Sequence, residues 1–284
     1  MSSHSQNKPH IYQRLVQYSQ AGFTTLETNV QQEIKNFVEE KQIKNGAFVD
    51  RAGKADLYYS LFGLWLSLAT KQSEQTKAFQ EYVFKLDEKK QTSLIDELVL
   101  ILLKVELGLN SNKYSTFAIV HKVIRKGKNI EQVYQMFLIA LVINGTGKDN
   151  KLFYILLYVF LSIYKTKDSL PCSLVSALLY VRKLVKLKTD KLQNILLAYV
   201  VETGGFKSNV SVQFADMLST AVALFALKET NYDLDLVKQP CLYFIQDNYL
   251  KGAFLSGYNN DIKDLEYTFY GLLAIGCLVS ENEK

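Results

Sequence analysis

Apolar residues along this chain recur mainly at the three-and-four spacing of a helix, not in strand-like alternation. From Ile11 to about Lys41 they fall at Leu15, Tyr18, Phe23, Leu26, Val30, Ile34 and Phe37. That predicts a leading pair of amphipathic helices. Two more helices are predicted over Thr76–Phe84 and Thr92–Leu107. The second is apolar on most faces and is expected to be buried. Its acids Asp96, Glu97 and Glu106 read as solvated or capping groups, because carboxylates on helices are mostly exposed. Leu152–Tyr164, LFYILLYVFLSIY, is the most apolar run at 13 residues. A membrane helix needs about 20, so a core helix is expected here, with a seat on a membrane surface as the alternative.

One phrase recurs. NGAFVDRAGKADLYYSLFGLWLSLAT begins at Asn45, TGGFKSNVSVQFADMLSTAVALFALK at Thr203, and KGAFLSGYNNDIKDLEYTFYGLLAIGCLV at Lys251. Aligned on Asp56, Asp216 and Asp264, the copies share Ser60, Thr220 and Thr268 four residues on. Gly63, Ala223 and Gly271 stand seven on, and Leu64, Leu224 and Leu272 eight on. Upstream each has a glycine turn and a phenylalanine: Gly46 and Phe48, Gly204 and Phe206, Gly252 and Phe254. Glycine frees the backbone for the turn. The aspartate suits a helix entrance, where it accepts from orphan N–H groups. The small seventh residue is expected to admit a neighbouring helix. Asp216 and Asp264 lie 48 residues apart, and Asp56 lies 160 before Asp216, close to three such steps. Worn copies are therefore expected between them, at Asn112–Ile124 and Leu170–Leu184. About five helical-hairpin repeats result.

The glycine–phenylalanine turn, polar loop, aspartate and apolar helix resemble the repeat shared by terpenoid cyclases and protein prenyltransferase β subunits. The resemblance covers most of the chain after about residue 45. It implies an all-α fold, an α/α toroid with concentric inner and outer helix rings around an apolar central cavity. It implies less about chemistry. In the prenyltransferases an Asp, a Cys two residues on and a His in the last repeat hold zinc. Asp216 matches the first, but Leu218 and Tyr267 stand at the other two places, and Tyr59 at the equivalent place in the first repeat. One ligand does not make a zinc site, so no metal and no cofactor is expected. The D-x-D-D acid motif of squalene-type cyclases is matched only by Asp233-Leu-Asp235-Leu, in an expected loop before Pro240. Trp65 is the only tryptophan, so the Q-W signature is missing.

Composition adds limits. Three prolines in 284 residues suit a helical chain, and 48% hydrophobic content supplies a large core. The expected layout is a disordered segment 1–10 followed by one domain over 11–284. The polar opening MSSHSQNKP has no apolar stretch of signal-peptide type. Cys172, Cys241 and Cys277 sit in apolar contexts without paired spacing, which argues for reduced thiols and a cytoplasmic setting. His4, His10 and His121 are scattered. The basic segment Val181–Lys188 reads as a solvated face, or as a site for an anionic partner such as a carrier protein, a pyrophosphate or a membrane surface. No nucleic-acid motif and no spanning segment is expected; the partner classes are an apolar small molecule, a membrane surface or a protein.

The candidate chemistry then lies where the repeat helices begin. Asp264 and Glu266 rank first as acid or base, then Asp216, then Asp56; desolvation raises the pKa of such carboxyls. Tyr58, Tyr59, Trp65, Tyr267 and Tyr270 are the candidate substrate wall, since aromatic faces hold apolar chains and steady cations. The same residues also read as helix caps and core. Two classes of function follow: an enzyme acting without metal on an isoprenoid or polyene-like chain by cyclisation, isomerisation or prenyl transfer, or a non-catalytic toroid binding a lipidic ligand or a protein.

Overall fold

The computed structural model of the chain describes residues 10–87, 93–109, 141–145, 151–163, 170–258 and 260–281. Among them stand eleven helices: α1 Ile11–Thr24, α2 Thr28–Glu40, α3 Leu57–Ala69, α4 Ser73–Phe84, α5 Leu94–Glu106, α6 Lys151–Ile163, α7 Cys172–Leu184, α8 Asp190–Leu197, α9 Met217–Glu229, α10 Asp235–Asp247 and α11 Leu265–Val279. Residues 141–145 are also helical. Among the described residues, strand is confined to two antiparallel pairings of two residues each, β1 Phe206–Lys207 with β2 Ala215–Asp216 and β3 Tyr249–Leu250 with β4 Ala253–Phe254. The chain is thus mostly helical. The faint copy at 112–124 and His121 lie outside the described residues, as do residues 1–9; His10 already precedes α1 directly, its N–H bonded to Gln13.

The three clear repeats fold alike because the same groups satisfy the same backbone atoms. Asp56, Asp216 and Asp264 each cap the helix that follows, accepting the N–H of Tyr59, Ser219 and Tyr267 at 2.9, 3.0 and 2.8 Å. The hydroxyl four residues on accepts the phenylalanine N–H: Ser60 from Phe48 at 3.3 Å, Thr220 from Phe206 at 2.9 Å and Thr268 from Phe254 at 3.3 Å. Thr220 and Thr268 donate in turn to the carbonyls of Asp216 and Asp264. One side chain thereby ties turn to helix. The phenylalanines are fully enclosed, each such burial stabilising by about 1.5–3 kcal/mol. The small seventh residue first of all makes room within its own repeat. A Cβ on Gly63 or Gly271 would overlap the ring of Phe48 or Phe254, so the glycine seats its own repeat's phenylalanine.

The turn glycines carry the packing between repeats. Gly46, Gly204 and Gly252 have φ of +93, +102 and +88°, where side chains are disfavoured. A Cβ at Gly46 would strike the carbonyl of Ala78 in α4, and at Gly204 that of Pro240 in α10. At Gly252 it would strike the carbonyl of Glu33 in α2. The last repeat therefore docks on α2 in the way the first docks on α4. Helix α11 packs on α3 and on α9, and α9 on α7.

Three expectations are corrected. Pro240 lies inside α10, not after a loop; its missing N–H would have met the carbonyl of Leu236, a residue 88% exposed, where water can take that place. The apolar run at 152–164 forms α6, but Ile155, Tyr158 and Val159 form an exposed stripe on it while Leu161 is buried, so it is no wholly buried core helix. Lys183 of the basic segment is engaged with Glu229 at 2.7 Å and Arg182 with the Leu161 carbonyl at 3.0 Å, so these two cations face inward contacts as well as water. The three cysteines are buried and unbridged. Among the described residues no helix is long and apolar enough to cross a membrane.

Candidate functional site

The helix starts of the first and last repeats come together, and the pairing is made by residues more than 200 positions apart. Arg51, in the loop before α3, reaches Asp264 at the start of α11. Its Nε and Nη2 both donate to Asp264 Oδ2 at 2.6 Å. Asp264 Oδ1 is occupied by the Tyr267 N–H. The carboxylate is only 2% exposed, so both oxygens are spoken for in a dry place. Burial pushes its pKa up, while the Tyr267 N–H and Arg51 pull it back. The guanidinium also lies over the Tyr267 ring, 5.4 Å from its centre.

Two residues on, Glu266 sits beside it with a different environment. It accepts one hydrogen bond from the hydroxyl of Tyr58, at 2.6 Å, again across from α3 to α11. Burial raises its pKa from 4.5 to about 7, opposed by the Tyr58 hydrogen bond. The neighbouring Asp264 charge adds to the rise. Tyr58 stacks edge-on with Tyr59, and burial with the nearby Asp264 raises the Tyr59 phenol to about 12. Tyr58, Tyr59, Tyr267 and Tyr270 are half-buried, so this group of rings forms the surface around a nearly buried carboxyl.

From Tyr58 an aromatic column continues inward along α3 and α11. Tyr58 meets Phe62 at 5.1 Å between centres, and Phe62 meets Tyr270 at 5.5 Å and Trp65 at 5.6 Å. Trp65 lies on Phe269 at 5.0 Å. Trp65, one of the candidate wall residues, is the deepest of them, 3% exposed. Its indole N–H donates to Glu106 at 2.8 Å. Glu106 is raised to about 8 by burial, and among the described residues its Oε1 has no hydrogen-bond partner. The expectation that Glu106 is a solvated group is thus corrected: α5 ends against α3 and turns it inward.

The other ranked acids are tied up. Asp216 takes the N–H of Ser219 on one oxygen and its hydroxyl, at 2.5 Å, on the other. It lies close enough to bear on the charge of Glu266 and Tyr267. The loop before α11 closes over it, with Met217 N–H bonded to the Ser256 carbonyl at 2.7 Å. Asp56 caps its own helix. Among the described residues no group of three or more His, Cys, Asp or Glu side chains converges as metal ligands would. Sequence reasoning missed Arg51 and Glu106. A cation in the loop before Asp56 carries no mark that it pairs with the last repeat, and Glu106 looks like any acid at a helix end.

No family model, curated protein or solved structure matches this chain.

Proposed function

We propose that the repeats close into an α/α toroid and that the Glu266–Tyr58 pair at its seam moves a proton on an isoprenoid or polyene-like chain lying on the surrounding tyrosines. Closure is supported by Gly252 docking on α2 as Gly46 docks on α4 and Gly204 on α10. The observation that carries the chemistry is Glu266: a nearly buried carboxyl with one phenol partner and a pKa near 7. A general base or acid works best when its pKa is near the operating pH. Such a carboxyl is a weak donor to an unactivated alkene, so among cyclisation, prenyl transfer and isomerisation the last fits best. Glu266 takes a proton from an activated carbon of the chain and returns it to another. The double bond shifts, and no co-reactant is consumed. Tyr58 holds the carboxyl in place and bridges the proton. Asp264 supports this arrangement without reacting, since Arg51 and the Tyr267 N–H already fill its oxygens.

The test offers the protein a panel of prenyl alcohols, prenyl diphosphates and linear polyenes, and analyses products by gas chromatography with mass detection. Wild type should convert a member of the panel. Glu266→Gln should lose at least about 100-fold in rate, the usual size of a general acid–base contribution, with little change in melting temperature. Asp264→Asn, which keeps a capping oxygen but loses the buried Arg51 ion pair, should lower stability and still turn over substrate where it is folded, since Asn caps about as well as Asp. Equal turnover in wild type and Glu266→Gln sinks the proposal. The second reading, a non-catalytic toroid that binds a lipidic ligand, is favoured by a separate fact: all three repeat aspartates are engaged as caps. A co-purified apolar ligand in native mass spectra, with no turnover of any panel member, would support it.

A further inference from the structure

The loops that lead into α9 and α11 are joined to each other at the end of these helices where Glu266 lies. Asp216 bridges to Gly257, and the Met217 N–H donates to the Ser256 carbonyl at 2.7 Å. Gly257 permits this approach: its φ is +145°, and a Cβ there would meet the Ala215 carbonyl at 2.8 Å. Next to the junction, one on each loop, stand Phe214 and Tyr258. Their rings lie face to face, 4.4 Å between centres and 5° from parallel. Neither is covered, Phe214 being 52% and Tyr258 67% exposed. Val210 and Ile262 of the same two loops are about half exposed. Single apolar side chains on a surface are ordinary, whereas exposed apolar surface grouped within a polar rim marks a contact site.

We propose that these two loops seat the protein on an anionic lipid bilayer, with Phe214 and Tyr258 inserted among the headgroups and lysines of the rim on the lipid phosphates. The charge around the pair fits that partner. Lys207 and Lys263 lie in the two loops, and Lys263 Nζ reaches the carbonyl of the exposed Lys251 at 2.9 Å. Exposed Lys54 lies in the matching loop before α3. Against them stand Asp261 and Asp50, the latter turned to the N–H groups of Ala52 and Lys54 in its own loop. Arg51 and Asp264 offset each other. Cations at such a rim are drawn to the negative potential of an anionic leaflet. The size of the apolar part also favours lipid over protein. Two aromatic and two aliphatic side chains, each about half exposed, offer roughly 300–400 Å². A stable protein complex buries about 800 Å² on each partner. Lipids need no matched area, since they close around whatever protrudes and each inserted side chain adds to binding. Rings already stacked on a fixed junction also lose little freedom on insertion. Asp216, at the junction, lies close enough to bear on the charge of Glu266 and Tyr267, so the seat adjoins the site proposed above without depending on its chemistry.

The test is cosedimentation of the full chain with vesicles of phosphatidylcholine, alone and with phosphatidylglycerol added. Binding should require phosphatidylglycerol and should weaken about tenfold or more between about 0.1 and about 0.5 M salt. Phe214→Ser combined with Tyr258→Ser should weaken it about tenfold or more, the size of one inserted aromatic side chain or more. The melting temperature should stay unchanged, because both side chains are exposed. Lys54→Gln combined with Lys207→Gln should weaken binding about fivefold or more. In Phe214→Trp the indole at that position should be quenched by bromine-labelled lipid, while Trp65, buried in the wild type, should not be. Failure to bind either vesicle overturns the proposal, as does binding that leaves the indole in Phe214→Trp unquenched. Binding that survives the loop variants and is lost in Ile155→Ser with Val159→Ser would move the contact to α6 and overturn it too. Self-association without lipid that Phe214→Ser with Tyr258→Ser abolishes would assign the surface to a second copy of the chain instead. None of these readouts involves turnover, so their failure is distinct from failure of the Glu266 chemistry.

Discussion

Replacing Gly252 by alanine tests the contact that joins the last repeat to the start of the chain. Two penalties apply. At φ +88° an alanine sits where side chains are disfavoured, which costs about 1–2 kcal/mol. Its Cβ would also overlap the Glu33 carbonyl, and overpacking of that kind costs a further 1–3 kcal/mol or so. The total is about 2–5 kcal/mol. Gly53 supplies the control. Its φ is +77°, and a Cβ there would meet nothing within 4 Å, so Gly53→Ala should carry only the first cost, about 1–2 kcal/mol. The assay is urea unfolding of both variants and wild type, followed by far-UV circular dichroism and compared at equal m-value. The difference between the two variants isolates the α2 contact from backbone strain. Equal losses would mean that α2 yields freely to the turn, and the case for closure at this seam would fail.

Glu266 should leave a pH signature. Its folded pKa of about 7 lies above its ordinary 4.5, so the protonated form favours folding; that contribution is fully present below about pH 4.5 and lost as pH rises through about 7. Between pH 5 and pH 8 wild type should lose about 1–3 kcal/mol relative to Glu266→Gln, and parallel pH dependences in urea unfolding would contradict this. Thr268→Val should cost about 1–3 kcal/mol, because it leaves the buried Phe254 N–H without its acceptor. Thr268→Ser should recover most of that, and a valine variant as stable as wild type would show the bridge to be idle.

The repeat geometry was legible because each part of it is local. Gly252, Phe254, Asp264 and Thr268 lie within 17 residues, and cap, turn and hydroxyl bridge are satisfied inside that span. The repeat aspartates stand at the helix starts as N-caps, as their spacing implied. What the sequence could not reveal is how the acids divide their duties. Asp264 and Glu266 differ by two positions, but one meets Arg51 and the other Tyr58, both from the first repeat. No local pattern encodes a partner more than 200 residues away. The same limit hid α1. Its apolar spacing reads as one buried stripe of an amphipathic helix, while in the fold only Gln17 and Thr24 are exposed. Glu106 was misjudged for a related reason, since exposure of a helix end is decided by what packs against it.

Because Arg51–Asp264 and Tyr58–Glu266 both run from the first repeat to the last, the site proposed above for proton transfer exists only while those two repeats are joined. That makes site and closure one thermodynamic unit, which can be probed without a substrate. A Cβ at Gly252 would meet Glu33 and Phe37 of α2 first, so Gly252→Ala is aimed at the seam and not at Glu266 itself. If the seam loosens, water reaches Glu266, the desolvation that dominates its raised pKa declines, and the value falls back toward 4.5. The pH-linked difference between Glu266 and Gln should then shrink by half or more in the Gly252→Ala background, a coupling of about 1 kcal/mol, within the range seen between linked sites. Gly53→Ala, which touches no neighbouring element, should leave that difference unchanged. The measurement is a double-mutant cycle in urea at pH 5 and pH 8. If the difference persists undiminished in Gly252→Ala, Glu266 is desolvated by α3 and α11 alone, and the site does not depend on the docking of the last repeat onto α2.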